Sequence, residues 1–113
     1  TVAANEVWAF HMFVRYTSGA IPDIKFGWSY PTGTTMSWGP RYALAATAGI
    51  TESTEATVLI IPCNGTNQLL VFEGVVIVGS TAGTMTLQWA QNALEVSDTK
   101  VLANSYLLAH RLA

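Results

Sequence analysis

The side chains able to do chemistry are few: His11, His110, Cys63, seven carboxylates and the pentapeptide Gly27-Trp28-Ser29-Tyr30-Pro31. A serine nucleophile of the Gly-x-Ser-x-Gly type needs a sharp turn from strand to helix. The pentapeptide ends in proline and lies inside a strand pattern, so Ser29 reads as a solvent-facing strand residue. Cys63 precedes an Asn64-Gly65 turn with no histidine near it in sequence, and reads as a small packed residue. Glu52 and Glu55 could form the carboxylate pair of a glycoside hydrolase, but their Thr/Ser-rich surroundings favour two solvated charges. A single cysteine excludes an internal disulfide, and two histidines do not make a zinc ligand set within one chain. His11 could meet its copies on a threefold axis and hold an ion there, but a hydrogen-bonded interface histidine is the commoner role. No catalytic residue, metal or cofactor is therefore expected. Sugar stacking is the sharpest remaining idea, and Trp38, Arg41 and Tyr42, flanking the Gly39-Pro40 turn, are the group expected to be exposed for a glycan contact.

The elements that must position these residues are strands. From Val7 to Tyr16 the residues Trp8, Phe10, Met12, Val14 and Tyr16 share one parity, and Val7, Ala9, His11, Phe13 and Arg15 the other. The first set is uniformly apolar and reads as core; the second mixes apolar and polar groups, as a face pressed against a partner would. Ile24, Phe26, Trp28 and Tyr30 alternate in a second strand with a solvated outer face, ending at Pro31-Thr32-Gly33. Met36 and Trp38 lie in a short third strand, and an irregular Ala/Thr/Gly-rich segment runs on to Thr54. Ala56 to Pro62, the Asn64-Gly65 turn and Gln68 to Val78 predict a hairpin, its return strand buried on both faces because both parities are apolar. Within that strand Glu73 must find a partner: Arg15, Arg41 or a row of amide donors. Met85, Leu87 and Trp89 alternate in a further half-buried strand, and Trp8, Trp28 and Trp89 are expected in the core. From Val101 to Leu112 the apolar spacing fits an amphipathic helix, while the surrounding strands and Asn104, which tolerates a left-handed backbone, favour a strand after a bulge. The strand reading is adopted, chiefly on the resemblance described below. Seven or eight short strands predict one all-β domain over residues 1–113, an antiparallel β-sandwich or jelly roll.

Composition bears on partners. The 113 residues are 50% apolar and 11% charged, with five basic and seven acidic side chains. A globule of this length exposes about 6,000 Å² of surface, or roughly one charge per 500 Å², which predicts that other copies of the chain cover part of it. The oligomer interface is expected at His11, Phe13, Arg15 and Glu73. A net charge of -2 leaves no basic stripe for nucleic acid. The charge-free stretch from Gly74 to Leu94 is broken by glycines, threonines and amides and predicts no membrane insertion. The first residues lack a basic region followed by an apolar one, so no signal peptide is expected.

The run Glu73-Gly74, Gly79-Ser80-Thr81-Ala82-Gly83-Thr84, Leu87-Gln88-Trp89-Ala90-Gln91-Asn92 and Val101 to Leu107 resembles the C-terminal domain of virion proteins of tailed bacteriophages. Val2-Ala3-Ala4-Asn5, the aromatic strand Trp8 to Tyr16, Asp23-Ile24-Lys25-Phe26 and the Pro31-Thr32-Gly33 turn follow the same order. Ala103-Asn104-Ser105 stands where that family has Ala-Gly-Ser. The resemblance implies a tail-fibre, minor tail or head-decoration protein, built as a trimeric sandwich similar to those of tumour necrosis factor or the complement globular head. It implies no enzyme. The expected partners are further copies, other virion proteins and a host cell-surface glycan, at the surface of the phage particle. A capsid decoration protein is the alternative, and a small glycan-degrading enzyme a remote one.

Overall fold

Period-2 alternation along the first strand sets the architecture of the whole chain. In a computed structural model, which describes residues 1–41 and 52–113, β1 (Val7–Thr17) is the longest of the described strands and turns Phe10, Met12, Val14 and Tyr16 into the core. It pairs antiparallel with β5 (Gln68–Ile77) along ten residues, from Val7↔Ile77 to Tyr16↔Gln68. On the far side of β5 lies β3 (Thr35–Pro40). On the other side of β1 lie β7 (Lys100–Val101) and β8 (Tyr106–Arg111), which follow one another along the same edge. The second sheet has the order β4 (Leu59–Ile61), β2 (Ile24–Ser29), β6 (Thr86–Gln91). The protein is all-β and antiparallel, as the alternation predicts, and its two sheets form a sandwich.

Rings from both sheets interlock between the layers. Phe26 on β2 meets Phe72 on β5 at 5.2 Å between centroids and Tyr16 on β1 at 6.4 Å. Trp28 on β2 meets Phe10 at 5.2 Å and Trp38 on β3 at 6.0 Å. Such tilted and edge-on pairs each add about 0.5–1.5 kcal/mol beyond the area they bury. Gly74 leaves the space for two of these rings: a Cβ there would stand 2.6 Å from Trp38 Cβ and 2.7 Å from Phe10 Cε1.

Successive strands from β1 to β7 alternate between the two sheets. This corrects the expected hairpin at Asn64-Gly65. Strand β4 pairs with β2, and the turn carries the chain across to β5 in the opposite sheet. Gly65 keeps its left-handed φ of 81° there, and its N–H donates to the Ser18 carbonyl at 2.9 Å. The two-sided burial expected for Gln68 to Val78 is corrected as well. Leu70, Phe72 and Val76 are buried, while Leu69 is 62% exposed and Val75 and Ile77 are also exposed. Trp89, expected in the core, is 45% exposed; Trp8 and Trp28 are partly buried against the core.

The C-terminal conflict resolves in favour of strand. Phe13 pairs with Tyr106 and Tyr16 with Val101, so Leu102 to Ser105 oppose only Val14 and Arg15. Asn104 takes φ 67° within this bulge. Ser105 Oγ ties the bulge down by accepting from Arg15 N at 2.9 Å and donating to the Leu102 carbonyl at 2.8 Å.

Candidate interaction face

Because β1 and β5 pair in register, the second parity of each strand becomes one outward surface. His11 lies opposite Glu73, Phe13 opposite Val71 and Arg15 opposite Leu69. The four residues predicted to form an interface, His11, Phe13, Arg15 and Glu73, thus share the outer face of the larger sheet. β8 extends this surface by placing Tyr106 beside Phe13 and Leu108 beside His11. Leu108 is 64% exposed, and the rings of Phe13 and Tyr106 stack at 5.5 Å. His11 also stacks on Tyr106, at 6.1 Å.

Glu73 is the electrostatic centre of the face. Of the partners proposed from sequence, Arg41 is the one it meets: Arg41 Nη2 donates to Glu73 Oε1, and His11 Nδ1 lies 3.5 Å from the same oxygen. The Arg41 hydrogen bond holds the Glu73 carboxyl below its ordinary pKa, against the opposing pull of partial desolvation. Arg15 turns elsewhere and donates from Nη1 to the Ala103 carbonyl at 2.9 Å. Beside this centre and Arg15, the face carries the apolar side chains Leu69, Val71, Val75, Ile77 and Leu108. Sequence reasoning missed most of these because β5 and β8 carry apolar residues at both parities. Only the pairing register separates inward from outward there.

The predicted glycan group does not come together. Trp38 is 3% exposed, and its indole N–H donates to the Thr54 carbonyl at 2.8 Å, so the ring belongs to the core and presents no face to a sugar. Arg41 is engaged with Glu73, and Tyr42 lies outside the described residues. Glu52 and Glu55 are each tied to β3: Glu52 accepts from Ser37 Oγ, and Glu55 Oε2 accepts from Met36 N at 3.1 Å. Ser29 is exposed at the end of β2. Cys63 is buried, and burial pushes its thiol pKa up, which disfavours the thiolate needed for reactivity. Among the described residues no group of three or more His, Cys, Asp and Glu gathers. No family model, curated protein or solved structure matches the chain.

Proposed function

We propose that the chain is a structural module of a tailed-bacteriophage virion. In this reading it is a homotrimer displayed on the particle at a tail fibre or minor tail protein, where it attaches to the host surface. The observation that carries the association is the outward face of the larger sheet, where Leu69, Ile77, Tyr106 and Leu108 stand exposed around the Glu73–Arg41 pair. A soluble chain with 11% charged residues gains by burying such a face against copies of itself. The sequence resemblance supplies the number three and the phage setting, and the sandwich fold is compatible with both. No residue is assigned a catalytic role, since the carboxylates, the serine and the cysteine weighed for one are each tied to backbone, solvated or buried. Two measurements test the reading. Sedimentation at micromolar concentration should give a trimer; a monomer would overturn the association. Immunogold labelling of the particles that carry the protein should mark the tail, whereas labelling of the head would favour a decoration protein that stabilises the shell.

A further inference from the structure

The sandwich closes on one side and stays open on the other. On the closed side the edges are short or covered: β4 has three residues, and β3 ends in Pro40 and is bridged by Ser53, which exchanges hydrogen bonds with Trp38 at 2.8 and 3.0 Å. These are the usual devices that keep a sheet edge from recruiting another strand. On the open side, among the described residues, β6 pairs only with β2, and β8 only with β1, so each has an edge that none of them covers. Neither strand contains proline or lysine, and the one charged residue of the two, Arg111, ends β8 in an ion pair with Glu6 at 2.9 Å.

Between these edges runs an apolar trough. One hollow of about 310 Å³ has Trp8, Phe10 and Trp28 among its lining, and a second of about 280 Å³ has Met12, Phe26 and Trp89; Leu87 and Leu107 line both. Among the described residues no charged side chain lines either hollow. Leu107, which points inward from β8 opposite Met12, is still 45% exposed because none of the described residues covers it. Among the described residues the buried indole N–H of Trp28 has no hydrogen-bond partner.

We propose that this trough is a docking site for an extended strand of a partner protein, with apolar residues at alternate positions and no charge among them. The incoming backbone pairs with the free edge of β8, or of β6, and every second side chain enters the hollows between the sheets. This is strand addition, in which main-chain hydrogen bonds give affinity and alternate pockets give specificity. The six-residue lengths of β6 and β8 set the footprint, about 20 Å of extended chain. The site lies on the opposite side of β8 from the Leu108 face, so it does not depend on the association proposed above.

The test uses the purified protein and two synthetic peptides of equal composition, acetyl-KTVTVTVTK-amide and acetyl-KTTVVVTTK-amide. The alternating peptide should bind saturably, shift the tryptophan emission to the blue and slow amide exchange along β8 or β6. The block peptide should bind at least tenfold more weakly. Leu107→Asp, and separately Trp89→Lys, should reduce binding of the alternating peptide by a similar factor, while Leu108→Asp should leave it intact. Equal binding of both peptides, or none by either, overturns the proposal. So does protection of the β6 and β8 edges in the protein alone that grows with its concentration, because copies of the chain would then close the trough. A protein that sediments as a monomer and still discriminates between the peptides would overturn the association reading and leave the strand site standing.

Discussion

Glu73 and Glu6 are two carboxylates whose neighbours favour the charged form. Arg41 donates to Glu73, while Glu6 accepts from the Ala3 N–H at 2.8 Å, from Trp8 Nε1 at 3.0 Å and from Arg111 at 2.9 Å, tying the start of the chain to β8. Each pKa is lowered from the ordinary carboxylate value, by the Arg41 hydrogen bond for Glu73 and first by the Ala3 amide for Glu6. A carboxyl with a lower pKa folded than unfolded contributes stability that is fully present above its unfolded pKa and is lost as pH falls through the folded value. The melting temperature should therefore be level from pH 7 down to about 5 and fall below about 4.5. In the double variant Glu6→Gln/Glu73→Gln the acid limb should be shallower, with a lower plateau at neutral pH. Melting curves of both proteins across this range check it; identical slopes would mean that neither carboxylate is held by its neighbours.

The strands show which parts of the fold could be read in advance. β1 was legible because one of its parities is wholly apolar and the other is not, and its pairing with β5 leaves that division intact. β5 was misread because Leu69, Val75 and Ile77 are as apolar as the inward Leu70, Phe72 and Val76, and composition alone does not distinguish an exposed apolar face from a core. β8 mimicked a helix for a related reason. With all six of its residues exposed, it has no polar parity to betray period 2. The Asn64-Gly65 turn was recognised as a turn, but its left-handed glycine does not specify which sheet the chain enters next. Trp38 was misplaced because Gly39 and Pro40 signal a turn, whereas both continue β3. Two substitutions test the elements directly. Gly74→Ala forces a methyl against Trp38 and Phe10 and should cost about 1–3 kcal/mol through overpacking, read as a lower urea midpoint with unchanged slope. Asn104→Gly should be neutral to within about 0.5 kcal/mol, while Asn104→Val should cost about 1–2 kcal/mol because a β-branched residue resists the left-handed backbone of the bulge.

At the scale of the whole molecule the two faces of the larger sheet divide the work. The inner face supplies cohesion through rings that interlock with β2, and the outer face carries the Glu73–Arg41 pair and Arg15 among exposed apolar side chains. Arg41 offsets Glu73, and His11 beside them faces Leu108 across the strand. An apolar face of this kind stabilises the folded chain further when copies cover it, since any species that binds only the folded state raises its apparent stability by mass action. The melting temperature of the wild-type protein should therefore rise with protein concentration, as it does not for a monomer. Leu108→Asp places a carboxylate at a position that is 64% exposed in the single chain and is buried only if copies meet there. The isolated fold should lose no more than about 0.5 kcal/mol from this surface change. Desolvating the new charge at an interface costs several kcal/mol, so the variant should sediment as a monomer, keep its strand circular dichroism and show a melting temperature independent of concentration. A variant that associates like the wild type would remove the Leu108 side of the face from the interface and move the contact to the Leu69 and Ile77 side.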